Sequence, residues 1–185
     1  KIAIGTAQFG MKYGVANRKG QINRDQAISI LSFARSNGID TIDTAKTYGD
    51  SEEVIGNYIK AYTDEYWGII TKVKKDGECL EAQINDSIDK LATTPFMVLA
   101  HSAIDYLDPI FCEELHELKT IHKIKKIGVS VYTVEEIKKV LSVMRPDVIQ
   151  CPLNILDTKL YRTGILDEIK GKGIDIHIRS VFLQG

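Results

Sequence analysis

Four side chains in this sequence could together move a proton: Asp43, Tyr48, Lys72 and His101. Asp43 and Tyr48 lie in Thr41-Ile42-Asp43-Thr44-Ala45-Lys46-Thr47-Tyr48-Gly49, Lys72 in Ile70-Thr71-Lys72-Val73, and His101 in Leu99-Ala100-His101-Ser102. Each closes a short apolar run or follows one. A phenol has an ordinary pKa of about 10 and is a reluctant acid at neutral pH. An ammonium beside it favours phenolate and lowers that pKa, and a carboxylate beside the ammonium keeps it charged and oriented. An Asp43–Lys72–Tyr48 relay of this kind suits proton donation to a carbonyl oxygen, with His101 hydrogen-bonding that oxygen to fix its angle. No side chain supplies a hydride, so the carbon end of such a reaction requires a cofactor. Taken singly these residues say little. A lone Asp and Tyr read as a helix cap and a packing ring, and a strand-end Lys as a surface residue with a buried stem. Their shared placement at successive strand ends is what joins them.

The elements that must position them alternate strictly. Strand-like runs are expected at Ile2–Gly5, Thr41–Asp43, Gly68–Val73, Phe96–His101, Ile127–Val131, Val148–Leu153 and Asp175–Phe182. Most are continuously apolar, as in strands covered on both faces. Amphipathic helices are expected between them. Asn23 caps one with Ala27, Ile30, Leu31 and Ala34 inward and Gly38 at its end; Ser51 starts another with Val54, Ile55, Tyr58 and Ile59 inward. Others begin near Leu80 and Pro109, at the Thr133/Glu136 capping box, and over Ile165–Lys170. Such alternation means a parallel sheet with helices outside. No Gly-x-Gly-x-x-Gly follows the first run, which weighs against an open dinucleotide-binding sheet and for a (β/α)8 TIM-type barrel. Residues 1–185 then form one domain, apparently truncated after the seventh strand, since a full barrel takes about 250 residues. The loops Met11–Gln21 and Ser102–Pro109 fall on the functional rim of such a barrel.

Composition excludes several function classes. The chain has 185 residues, 44% hydrophobic and 26% charged, with a net charge of −1, so no basic surplus points to nucleic acid. No apolar run is long enough to cross a bilayer, and no signal-peptide core follows the N-terminus. The three cysteines, Cys79, Cys112 and Cys151, are odd in number and widely spaced, which argues against a disulfide framework and for a reducing cytoplasm. They read as small core residues. Glu52 and Glu53 read as acids favoured by a helix N-terminus, His116 and His122 as solvated, His177 as packed within its strand, and Trp67 as a packing residue. No His/Cys/Asp cluster has metal-ligand spacing, so no metal is expected.

The segment Gly38–Glu52 resembles the signature around the catalytic aspartate and tyrosine of the aldo-keto reductases. Thr71-Lys72-Val73 resembles that family's lysine strand, Leu99–Ser102 its histidine strand, and Gly5-Thr6-Ala7-Gln8-Phe9-Gly10 its first barrel strand. The resemblance covers nearly the whole chain in the right order. It implies a cytoplasmic oxidoreductase that reduces an aldehyde or ketone, sugars included, with NADPH, or alternatively NADH, extended over the barrel mouth. Ser130 and Gln150 match residues that hold the nicotinamide carboxamide, and Ser180 matches a serine near the pyrophosphate. Gly5, Thr6 and Asp43 complete the implied cofactor contacts. Two positions depart from the family: Val131 stands where an asparagine is frequent, and Arg179 where a tyrosine usually stacks on the nicotinamide. Arg179 either packs flat on that ring or reaches a phosphate. The eighth unit would supply most contacts to the adenosine phosphate. The implied partner is a small carbonyl compound, with no reading of oligomeric state. The rival reading is a cofactor-binding regulatory or assembly subunit with the same barrel and little turnover.

Overall fold

The strand and helix alternation folds as a single curling sheet wrapped by helices. A computed structural model describes residues 1–183. Its strands are β1 (Ile4–Gly5), β2 (Thr41–Asp43), β3 (Gly68–Val73), β4 (Met97–Ala100), β5 (Lys126–Ser130), β6 (Val148–Pro152) and β7 (Asp175–Arg179). All pair in parallel and in sequence order. Among the described residues β1 and β7 are the two edges, so the sheet is a partial barrel open between its first and seventh strands. The longer helices are α2 (Arg24–Ser36), α3 (Ser51–Ala61), α4 (Leu80–Leu91), α6 (Pro109–Ile121), α7 (Val134–Val143) and α9 (Ile165–Gly171). Three single-turn helices were not legible in the sequence: α1 (Ala7–Gly10), α5 (Ala103–Tyr106) and α8 (Lys159–Arg162). Each is too short to show a 3.6-residue pattern.

Local sequence explains the helix starts. Asn23 accepts from the Gln26 amide and Gln26 returns the bond, while Thr133 and Glu136 do the same at α7. Asp108 caps α6 ahead of Pro109 at its first position. The inner face of α2 is Ala27, Leu31 and Ala34; Ile30, expected inward, lies at the margin of that stripe and is 39% exposed.

Burial of both sheet faces accounts for the apolar runs. Every residue of β3 and β4 is buried. Outward-facing side chains join the helices in two clusters, one over the first strands around Ile42, Ile55 and Ile69, the other over the later strands around Val98, Ile127 and Ile149. Inward-facing Ile70, Met97, Leu99 and Val148 fill the lumen in a third cluster. Full burial of each such side chain is worth about 1.5–3 kcal/mol. The register carries this inner layer upward to polar groups: Lys72 lies level with Leu99 of β4, and Ser130 with Gln150 of β6 and, through it, His177 of β7.

Several sequence expectations are corrected by packing. β7 ends at Arg179, not Phe182, because Ser180 takes φ +59 and turns the chain. Cys79 is exposed ahead of α4, whereas Cys112 and Cys151 are buried, and all three are free. His116 is half-buried with Nε2 3.0 Å from the Tyr106 hydroxyl, and the buried Nε2 of His122 has no partner among the described residues. Glu52 is fully packed, accepting from Thr71 at 2.5 Å and Ser87 at 3.2 Å, so it joins α3 to β3 and α4. Burial raises its carboxyl above the usual range.

Candidate active site

Asp43 ends β2 and faces the lumen beside Lys72 of β3. The Lys72 ammonium, 2% exposed, donates to Asp43 Oδ1 at 2.5 Å and to the Thr44 carbonyl at 2.7 Å. The second Asp43 oxygen accepts from Gln150 Nε2 at 2.6 Å, across the lumen from β6. The carboxylate is therefore fixed by two donors from different strands, and the ammonium is desolvated but paired.

Tyr48 is delivered by the turn after β2. Its amide donates to the Ala45 carbonyl at 2.9 Å, and its carbonyl accepts from Ser51 N at 3.1 Å as α3 begins. Gly49 completes the turn at φ +57, a conformation glycine adopts without penalty. The turn packs against α1 so closely that a Cβ on Gly10 would lie 1.6 Å from the Tyr48 carbonyl oxygen. Buried hydroxyls lock the same junction: Thr6 donates to the Asp43 carbonyl at 3.0 Å, and Ser51 Oγ lies 2.9 Å from Thr6 Oγ1 and 3.0 Å from Thr44 Oγ1. Lys46 ties the loop outward to Asp86 at 2.8 Å and Glu78 at 3.1 Å. The result places the Lys72 ammonium 5.2 Å from the Tyr48 ring centroid.

His101 follows β4, its amide bonded to the Val73 carbonyl at 2.8 Å. Its ring meets that of Tyr48 edge-on at 6.0 Å, and its Nδ1 lies 3.2 Å from Thr47 Oγ1. Thr47, Lys74, Lys75, His101, Ser102 and Asp105 line a cavity of about 320 Å³. The contacts running from Asp43 through Lys72 and Tyr48 to His101 gather the four side chains at one rim.

The electrostatics differ from the sequence expectation in one respect. Lys72 does pull the Tyr48 phenol downward, but burial outweighs it, and the net shift is upward. His101 is held below the ordinary histidine value, first by burial and then by the Lys72 charge. Both groups are therefore uncharged at neutral pH.

The expected cofactor residues separate into two sets. Ser130 ends β5 and Gln150 lies level with it on β6, both buried and facing the lumen, and Gln150 Oε1 is buried with no partner among the described residues. Arg179 lies on the same rim, its guanidinium 4.0 Å over the Tyr132 ring and Nη2 donating to the Val131 carbonyl at 3.2 Å, with its buried Nε left unpartnered. Gly5 is exposed at the edge strand and Ser180 sits in the turn after β7. Thr6 points away from the lumen into the packing under α3, so its side chain acts on Asp43 through the backbone. Sequence reasoning missed three neighbours. His177 shares the inner face with Arg179, two residues on, as the period of two could have indicated. Thr47 and Tyr132 lie on loops, where no periodicity signals direction.

A parallel strand-and-helix barrel with polar groups gathered at the carboxyl ends of its strands defines the class of protein. The chain belongs to the aldo/keto reductase family, whose model matches residues 1–185. It is 26% identical to an aldo-keto reductase of Gibberella moniliformis over 92% of this chain and 56% of that one. It is also 26% identical to the NADH-specific methylglyoxal reductase of Escherichia coli, over 100% of this chain and 64% of that one. The chain thus spans between about half and two-thirds of these curated relatives. A solved Pseudomonas aeruginosa protein classed among the aldo-keto reductases superposes with a TM-score of 0.80 at 26% identity, over 96% of this chain and 72% of that one. No helix among the described residues is long and apolar enough to cross a membrane.

Proposed function

We propose that residues 1–185 form a single barrel domain carrying the reducing site of a nicotinamide-dependent carbonyl reductase. Its substrates are aldehydes or ketones, sugars among them. The observation that carries this reading is the buried Lys72 ammonium, held between the Asp43 carboxylate and the Tyr48 ring. Tyr48 is the proton donor. Its upward-shifted phenol is fully protonated at neutral pH, as a donor must be, and the nearby ammonium stabilises the phenolate left behind. Asp43 pairs with Lys72 and holds it in place. Neutral His101 hydrogen-bonds the carbonyl oxygen and sets its approach to Tyr48.

A nicotinamide group fits the residues present. Gln150 gives one amide N–H to Asp43, and its orphaned Oε1 is a free acceptor suited to a carboxamide N–H. Ser130 on the adjoining strand end can donate to the carboxamide oxygen. Arg179, Ser180 and Gly5 are the groups for the phosphate side. When bound, the nicotinamide would supply the hydride. The family resemblance favours NADPH, and the NADH specificity of the Escherichia coli relative makes NADH the alternative. Fluorescence titration with each cofactor, followed by loss of nicotinamide absorbance when a carbonyl compound is added, tests the reading. Binding of at least one cofactor with carbonyl-dependent oxidation is expected. Binding without oxidation by any aldehyde or ketone would favour a regulatory subunit instead.

A further inference from the structure

We propose that Thr47 is a positioning residue that sets the tautomer of His101: its hydroxyl donates to Nδ1, so the single ring proton sits on Nε2 and is offered to the substrate oxygen. This rests on the reading of His101 as the group that holds the carbonyl oxygen.

A neutral imidazole has one N–H and one bare nitrogen, and the hydrogen bond made at one nitrogen decides which carries the proton. Burial keeps His101 neutral. Its Nδ1 lies 3.2 Å from Thr47 Oγ1, and Nε2 has no protein partner among the described residues. Both ends of the contact are anchored. His101 is pinned by its amide to the Val73 carbonyl, and Thr47 sits between Lys46, whose amide bonds the Lys72 carbonyl at 3.1 Å, and Tyr48, whose amide bonds Ala45. Among the described residues Nδ1 is the acceptor available to the Thr47 proton. The reverse arrangement, Nδ1–H donating to Thr47, would leave that proton without a protein acceptor and turn a bare Nε2 lone pair toward a carbonyl oxygen, which cannot donate to it. The His101 ring meets the Tyr48 ring edge-on at 6.0 Å, so the tautomer is set beside the group read as the proton donor.

The test is nitrogen NMR of the imidazoles in the full chain labelled with ¹⁵N-histidine, with the His101 signals assigned by their loss in His101→Asn. Thr47 is exposed, so Thr47→Val keeps its shape at little cost to folding, and Thr47→Ser keeps the hydroxyl. His101 should be chiefly Nε2–H in the wild type and in Thr47→Ser. In Thr47→Val, with no hydroxyl at Nδ1, the Nδ1–H share should rise above its wild-type value. Chiefly Nδ1–H in the wild type, or an unchanged ratio in Thr47→Val, would overturn the proposal. The spectra need neither cofactor nor turnover, so they report on the tautomer even where the carbonyl-reductase reading fails its own assay.

Discussion

Replacing Lys72 by methionine keeps an unbranched side chain of similar length in the lumen but removes its charge. The ammonium is 2% exposed and its contacts to Asp43 and the Thr44 carbonyl are 2.5 and 2.7 Å. Removing one partner of a buried ion pair typically costs 3–5 kcal/mol, because the other charge is left uncompensated. Here the Asp43 side chain is 19% exposed and keeps its Gln150 donor, so the lower end, about 3 kcal/mol, is expected. For a chain of this size each kcal/mol moves Tm by about 2–4 °C, which gives a drop of about 6–12 °C. Circular dichroism melts at neutral pH measure it. The double variant Asp43→Asn/Lys72→Met removes the stranded charge and should recover at least about 1 kcal/mol of the loss. Lys72 is also the main force pulling the Tyr48 phenol down against burial, so in Lys72→Met that phenol should ionise at higher pH in an ultraviolet titration. A Tm within about 2 °C of the wild type, with an unchanged tyrosine titration, would refute the account of the pair.

Glu52→Gln tests the buried carboxyl beneath α3. Burial raises Glu52 above its ordinary 4.5, so the folded state holds the proton more tightly than the unfolded chain; its contribution to stability is full below 4.5 and declines as pH rises through the folded value. Glutamine cannot ionise, so Glu52→Gln should gain stability relative to the wild type as pH rises over that interval, and a pH-independent difference in urea unfolding would contradict this. Thiol chemistry should find one fast cysteine: exposed Cys79 should react in the native state, while buried Cys112 and buried Cys151, whose thiol is pushed up to about 11, should react only on unfolding. Two or more fast thiols would mean that the core is looser than the packing indicates.

The strand order and the lumen site were legible because each rests on a repeated local signal. Continuous apolar runs mark strands buried on both faces, and polar residues closing or following those runs mark the rim, so Asp43, Lys72 and His101 could be singled out from their positions, whereas Ser130 and Gln150 came from the family resemblance. Tyr48 was singled out from its place in the loop after β2, while its delivery depends on a contact no local pattern encodes, the abutment of Gly10 on the Tyr48–Gly49 turn. The family resemblance made Thr6 a cofactor contact, yet its hydroxyl lies in the junction under α3, donating to the Asp43 carbonyl. Glu52 looked like an ordinary acid at a helix start, and only the docking of α3 on β3 and α4 buries it. The net upward shift of Tyr48 was also beyond reach, since it depends on how far burial exceeds the pull of one ammonium. Long-range packing decided each of these, and the sequence signals it only after the elements are assembled.

The central claim is that Tyr48 gives the proton. The direct measurement is single-turnover carbonyl reduction by wild type and Tyr48→Phe at saturating cofactor, with cofactor affinity measured on the same samples. The phenylalanine ring keeps the packing beside Lys72 and His101 but has no proton to give. The account predicts a rate lower by about 10² to 10⁴, the usual contribution of general acid catalysis, with cofactor affinity changed by less than about threefold. A Tyr48→Phe rate close to that of the wild type, with cofactor bound equally well, would contradict it.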